Sequence, residues 1–241
     1  MNPLIIRPQP AADDLAQRLR ADGHHPVICP LMSYSPGNDL PELVSLLPEA
    51  NIIIAVSTAA VQYAGKQLQQ QQFAWPVSAL YLAVGATTAR EWQQQQCQVI
   101  TPDDARSEGL LALPQLQSVS GKKIVILRGN GGRELLSETL QQRGANVTYV
   151  ECYRRHYLQT DGHRLLQEWQ AAAVDSVIIT SNDLFQQLLT LLPETAQSWL
   201  SGLRWFAASE RIAEKIRNSG FKQITIMPGA QHEVVAAALL K

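Results

Sequence analysis

The sequence predicts a duplicated, doubly wound α/β protein, and three observations carry that prediction. Short apolar, β-branched runs alternate with amphipathic stretches; most of those runs are unbroken by charge; and three of them recur in the same order along 241 residues. Leu4-Ile5-Ile6-Arg7, followed by Leu15, Leu19 and Gly23, returns as Val125-Ile126-Leu127-Arg128 with Leu136, Leu140 and Gly144. Ile52 to Val56 before Ser57-Thr58 returns as Val177-Ile178-Ile179-Thr180 before Ser181-Asn182. Leu82-Ala83-Val84-Gly85 with Ala89 returns as Trp205 to Ser209 with Ala213. The offsets are 121, 124 and 124, so an accidental likeness among unrelated βα units is a poor explanation.

Taken in order, strands are expected at 3–7, 26–29, 51–56, 80–84, 98–101, 123–128, 147–151, 176–180, 204–208 and 223–226. Continuous apolar runs of this length suit parallel strands covered on both faces. Helical patterns lie between them at 12–22, 58–68, 87–95, 133–143, 182–192 and 210–219. Each run with its following helix is a βα unit, and repetition of that unit gives two similar, mainly parallel, five-stranded sheets. Pro30 to Asp39 and Cys152 to Gly162 read as connections. One domain is then residues 38–152, and the other is discontinuous, residues 1–32 with 160–241. A cut in the middle of the chain would part strand 123–128 from 51–56 and 80–84. The Gln-rich pieces at 67–72 and 93–96 read as solvated helix ends.

An apolar fraction of 46% is enough for two cores. No stretch approaches the roughly 18 apolar residues of a membrane span, and no basic-then-apolar leader opens the sequence, so a soluble cytoplasmic protein is expected. Cys29, Cys97 and Cys152 are odd in number and widely spaced, which suggests neither disulfides nor zinc. The five histidines (24, 25, 156, 163 and 232) lack ligand-spaced partners, and no metal is expected. A net charge of −1 argues against nucleic-acid binding through a broad positive field. Fourteen of the twenty basic residues are nevertheless Arg, the better side chain for gripping carboxylates.

The familiar chemical motifs fail. Gly129-Asn130-Gly131-Gly132 follows a strand and precedes a helix, but Arg133-Glu134 stands where a phosphate loop needs Lys-Ser/Thr, and Glu134 where the dinucleotide fingerprint needs Gly. Such a turn either receives an anion on its free N–H groups or is a plain flexible connection. No Gly-x-Ser-x-Gly elbow presents a nucleophile. Ser57 and Ser181 follow matched strands, and Thr87 and Thr88 follow a third. Hydroxyls there cap the next helix, and they also stand at the carboxyl ends of strands, where ligands bind in open α/β sheets.

Arg7-Pro8, Val56-Ser57-Thr58-Ala59-Ala60-Val61, Val84-Gly85-Ala86-Thr87-Thr88-Ala89, Ile126-Leu127-Arg128-Gly129 with Arg133, Val150-Glu151-Cys152-Tyr153 and Thr180-Ser181 together resemble the uroporphyrinogen-III synthase family, end to end. The resemblance implies two α/β domains joined by linker strands, here 33–37 and 153–159, with a cleft between them. It also implies cyclisation of hydroxymethylbilane to uroporphyrinogen III with inversion of ring D through a spiro intermediate, in heme and siroheme biosynthesis, without cofactor or metal. The bilane's eight carboxylates would then explain the Arg bias.

Tyr153 matches the family's Tyr implicated in departure of the substrate hydroxyl; without the resemblance it reads as a packed strand-end aromatic. Arg7, Ser57, Gly85, Thr87, Thr88, Arg128, Gly129, Arg133 and Ser181 are the substrate-binding candidates. Ile212 stands where the family carries a Thr, with Arg211 beside it. A transient contact with hydroxymethylbilane synthase is the partner suggested, and a monomer is expected. A non-catalytic, two-lobed small-anion-binding or regulatory module fits the same duplicated architecture, since fold alone does not fix function.

Overall fold

A computed structural model describes residues 1–240. Along the chain the elements are β1 (Pro3–Ile5), α1 (Ala11–Ala21), β2 (Val27–Ile28), β3 (Met32–Pro36), α2 (Leu43–Leu46), β4 (Ile52–Ala55), α3 (Thr58–Gln70), β5 (Leu80–Ala83), α4 (Ala86–Gln94) and β6 (Val99–Ile100). There follow α5 (Ser107–Ala112), β7 (Lys123–Gly129), α6 (Leu135–Gln142), β8 (Asn146–Tyr157), α7 (Gly162–Ala171), β9 (Ser176–Ile179), α8 (Asn182–Leu191) and α9 (Gln197–Gly202). The chain closes with β10 (Arg204–Ala207), α10 (Glu210–Asn218), β11 (Ile224–Ile226) and α11 (His232–Leu239). Among the described residues no helix is long and apolar enough to cross a membrane.

The fold is α/β with mostly parallel sheets, divided between two compact units. One unit is Met1–Ser33 together with the chain from His156 onward; the other is Tyr34–Arg155. The first carries a sheet of order β11-β10-β9-β1-β2, parallel throughout. The second carries the order β3-β8-β7-β4-β5-β6, with β8 to β6 parallel.

The repeat explains these orders. Replacing β2, β1, β9, β10 and β11 by β8, β7, β4, β5 and β6 turns one sheet into the other. Each sheet therefore takes the opening strands of one copy and the closing strands of the other, which is why neither unit is a single repeat.

Two expectations are corrected. The second sheet has six strands rather than five, because β8 runs on to Tyr157 and β3 pairs along it. Asn146–Tyr157 contains no Gly or Pro to stop it at 151, so part of the expected linker belongs to the sheet. The helix expected at 133–143 begins only at Leu135, because Gly131 and Gly132 adopt φ of 85° and 134° and hold the chain in a turn.

Burial on both faces shows in the alternation of β4. Ile53 and Ala55 pack with Val125, Leu127, Val61 and Trp92 on one side. Ile52 and Ile54 pack with Ile124, Ile126, Leu136 and Leu140 on the other. In the first unit Ile5, Ile178 and Phe206 meet Leu15 and Leu19 of α1 and Val235 and Leu239 of α11.

Candidate functional site

Unit Tyr34–Arg155 gathers several candidates at the carboxyl ends of β4, β5 and β7 and along β8. Its organising feature is a bulge. β7 and β8 run in register from Lys123 opposite Asn146 to Arg128 opposite Glu151, but Gly129 then stands opposite Tyr153, so Cys152 is one residue too many. In a regular strand Cys152 and Tyr153 would face opposite sides of the sheet. The bulge turns both into the same core, and Tyr153 is only 2% exposed.

The bulge is fastened on both sides. The Gly37 N–H donates to Cys152 O at 3.0 Å, and the Glu151 N–H to Asp39 Oδ2 at 2.8 Å. On the β7 side, the Asn130 N–H donates to Tyr153 O at 3.0 Å while Asn130 Oδ1 accepts from the Arg155 N–H at 2.7 Å. Gly37 and Gly129 are required by space: a Cβ on Gly37 would lie 1.9 Å from Glu151 O, and one on Gly129 would lie 2.6 Å from Tyr153 Cζ.

The Tyr153 ring stacks on Tyr63, with centroids 6.0 Å apart, and meets Tyr34 edge-on at 5.2 Å. Its phenolic oxygen accepts from Ser57 Oγ at 3.2 Å and from Arg155 Nη2 at 3.0 Å. Ser57 is also the N-cap of α3, its Oγ accepting from the Ala60 N–H at 3.2 Å. The cap thus fixes the rotamer that reaches Tyr153. Both contacts are donated to the phenolic oxygen, so neither uses the phenol's own proton.

The other candidates of this unit have separate surroundings. Arg128 is buried, lies 4.3 Å above the Tyr149 ring and pairs with Glu134 at 2.9 Å. That contact pulls the Glu134 carboxyl below its ordinary range. Arg133, in the turn ahead of α6, is exposed and paired with Glu108 at 3.0 Å. Gly85 is the extended N-cap residue of α4, with no side chain to occupy the cap; a Cβ there would lie 2.9 Å from Ala105 Cβ. Thr87 is exposed beside it, and Thr88 is buried.

In the other unit Ser181 caps α8 as Ser57 caps α3, accepting from the Leu184 N–H at 3.2 Å. Arg7 donates to Ala230 O at 3.1 Å, so the matched arginines 7 and 128 have acquired different partners. Ile212, the repeat counterpart of Thr88, is likewise buried, and Arg211 is exposed like Thr87. An aliphatic side chain at 212 fits that apolar position.

A cavity of about 700 Å³ opens at the opposite end of the second sheet, lined by Leu68, Phe73, Trp75, Tyr81 and Gln95 among others. None of the candidates borders it. The structure thus brings Ser57, Gly129 and Tyr153 together. Tyr34, Tyr63, Asn130 and Arg155 belong to the same cluster, and sequence reasoning missed them. Only the spacing of Arg155, two after Tyr153 on a strand, offers a signal.

A family model described as uroporphyrinogen-III synthase HemD matches residues 13–234. The chain is 40% identical to the uroporphyrinogen-III synthase of Escherichia coli K12 over 245 aligned residues, covering 99% of this chain and 100% of that one. It is 39% identical to the Salmonella typhimurium LT2 uroporphyrinogen-III synthase over the same coverage. Among solved structures, a mutant uroporphyrinogen III synthase from Thermus thermophilus superposes with a TM-score of 0.71 at 18% identity, covering 100% of this chain and 96% of that one. The Helicobacter pylori 26695 uroporphyrinogen-III synthetase gives 0.57 at 16% identity, covering 100% and 99%. These two likenesses speak for the fold, whereas the family match and the relatives of about 40% identity cover nearly the whole sequence: the chain belongs to the uroporphyrinogen-III synthase family.

Proposed function

We propose that this chain closes hydroxymethylbilane to uroporphyrinogen III with inversion of ring D, as a cyclising hydro-lyase of tetrapyrrole biosynthesis. The observation that carries the reading, in a member of this family, is the Tyr153 phenolic oxygen accepting from both Ser57 and Arg155, contacts that do not use the phenol's own proton. The substrate C–O bond breaks with its electron pair on oxygen, the Tyr153 proton completes a water molecule, and a pyrrole nitrogen lone pair compensates the carbon. Tyr153 is left as phenolate. It recovers a proton when the carbon that closed the macrocycle loses its hydrogen, so water is the only product besides the ring.

Ser57, Gly85, Thr87, Thr88, Arg128, Gly129, Arg133, Arg7 and Ser181 are proposed to line the bilane site. The exposed Thr87 and Arg133 are the most direct carboxylate partners in this reading, whereas buried Arg128 acts by holding the turn at 129–134. A cytoplasmic monomer, meeting hydroxymethylbilane synthase transiently to receive an unstable substrate, completes the proposal.

The test is to supply freshly made hydroxymethylbilane and separate the product isomers. The type III isomer should dominate. Type I alone, the product of unassisted closure, rejects the proposal.

A further inference from the structure

Arg155 is joined to Tyr153 in two ways. Its Nη2 donates to the phenolic oxygen at 3.0 Å, and its guanidinium carbon lies 5.6 Å from the centroid of the same ring. Its backbone is not free to drift, because its N–H is held by Asn130 Oδ1 at 2.7 Å and Asn130 also holds Tyr153 O. One residue after β7 therefore fixes both members of the pair, on a strand where positions two apart share a face. The guanidinium is planar and permanently charged, so it acts as a donor at any pH at which the protein is folded.

We propose that Arg155 is a positioning residue for Tyr153, orienting the phenol and stabilising the negative charge left on its oxygen as the proton leaves. This rests on the reading that Tyr153 supplies that proton. A preorganised cation beside the atom where charge develops favours the transition state over the bound substrate, so its loss should appear in kcat and little in KM. A direct grip of Arg155 on a substrate carboxylate would have the opposite signature, a raised KM.

The experiment compares wild type with Arg155→Met, Arg155→Lys, Tyr153→Phe and the Tyr153→Phe/Arg155→Met double variant, with circular dichroism and thermal midpoints recorded for each. Arg155→Met should lower kcat about 10- to 100-fold with KM within about threefold of wild type, and Arg155→Lys should recover part of the loss. In the Tyr153→Phe background, Arg155→Met should cost less than about twofold more, because the group it acts through is gone. Equal loss in both backgrounds, a change confined to KM, or an unchanged kcat overturns the inference. If Arg155→Met does not fold, Arg155→Lys decides the matter: full wild-type kcat, or an equal loss with and without Tyr153, overturns the inference. Wild-type turnover in Tyr153→Phe instead removes the underlying reading, an outcome distinct from an impaired Tyr153→Phe beside an unimpaired Arg155→Met.

Discussion

Gly129 lies against the face of Tyr153 so closely that a Cβ on it would be 2.6 Å from Cζ of the phenol ring. The glycine is there for space, and it faces Tyr153 rather than Cys152 because of the bulge in β8. Gly129→Ala should therefore push the ring away from Ser57 Oγ, 3.2 Å from the phenolic oxygen in the intact protein. Overpacking of this kind costs about 1–3 kcal/mol. Thermal denaturation should show a midpoint several degrees lower, and turnover should fall with it. Combining Gly129→Ala with Tyr153→Ala should cost less than the sum of the two in stability, since the clash needs both partners. Strict additivity would show that the two side chains do not meet.

Tyr153→Phe separates the ring from its hydroxyl. The ring keeps its packing on Tyr34 and Tyr63, and two hydrogen bonds are lost, a stability cost on the order of 1 kcal/mol. Turnover should fall by about 100-fold, the scale of a lost general acid. The loss should be incomplete, because closure proceeds unaided and the site still positions the chain, and the product should shift toward the type I isomer. Chromatographic separation of the isomers checks both statements; wild-type rate and isomer ratio in a folded variant would remove the hydroxyl from the mechanism.

The duplication supplies an internal control in Ser57 and Ser181. Each caps a helix through one N–H at 3.2 Å, so each Ser→Ala should cost a similar 0.5–2 kcal/mol, typically about 1. Only Ser57 also touches the phenol. Ser57→Ala should lower kcat severalfold, whereas Ser181→Ala should leave kcat within about twofold and act through KM. Matched denaturation midpoints with unmatched kcat values are the expected result. Equal kcat for the two variants would mean that the Ser57 contact with Tyr153 has no kinetic role.

What can be read from the residues follows from what period and burial control. Ile52 to Ala55 announces a strand because both faces are buried, and the recurring Arg7 and Arg128 segments announce the matching sheets because a duplicated sequence folds into the same strand order. The bulge is not legible. One extra residue reverses the parity of everything after it, and nothing in Glu151-Cys152-Tyr153 marks the insertion; its causes are Gly37, Asp39 and Asn130, distant in sequence. For the same reason Arg155 reads as part of a connection, although its side chain lies on the phenol. Arg128 shows the complementary limit: residue type suggests a grip on substrate, but Tyr149 and Glu134 are close enough to take the guanidinium first.

Burial pushes the Cys152 thiol and the Tyr81 phenol well above their ordinary values of 9.0 and 10.0. Both groups stay protonated in the folded chain at a pH where the unfolded chain has begun to release its protons. Above about pH 9 the native state binds more protons than the unfolded state, so stability falls as pH rises; below that value the contribution is fully present. A group that keeps its proton in the native state while the unfolded state has lost it costs up to about 1.4 kcal/mol per pH unit in this window. Denaturant midpoints measured from pH 7 to about pH 10.5 should therefore decline from near pH 9. Cys152→Ala should start lower, because it opens a cavity in the core, yet decline less steeply, since one contributing group is gone. Tyr81→Phe should likewise flatten the slope at the upper end, after losing the hydrogen bond to Pro76 O at 2.7 Å. Parallel curves for wild type and both variants would show that neither group changes its proton affinity on folding.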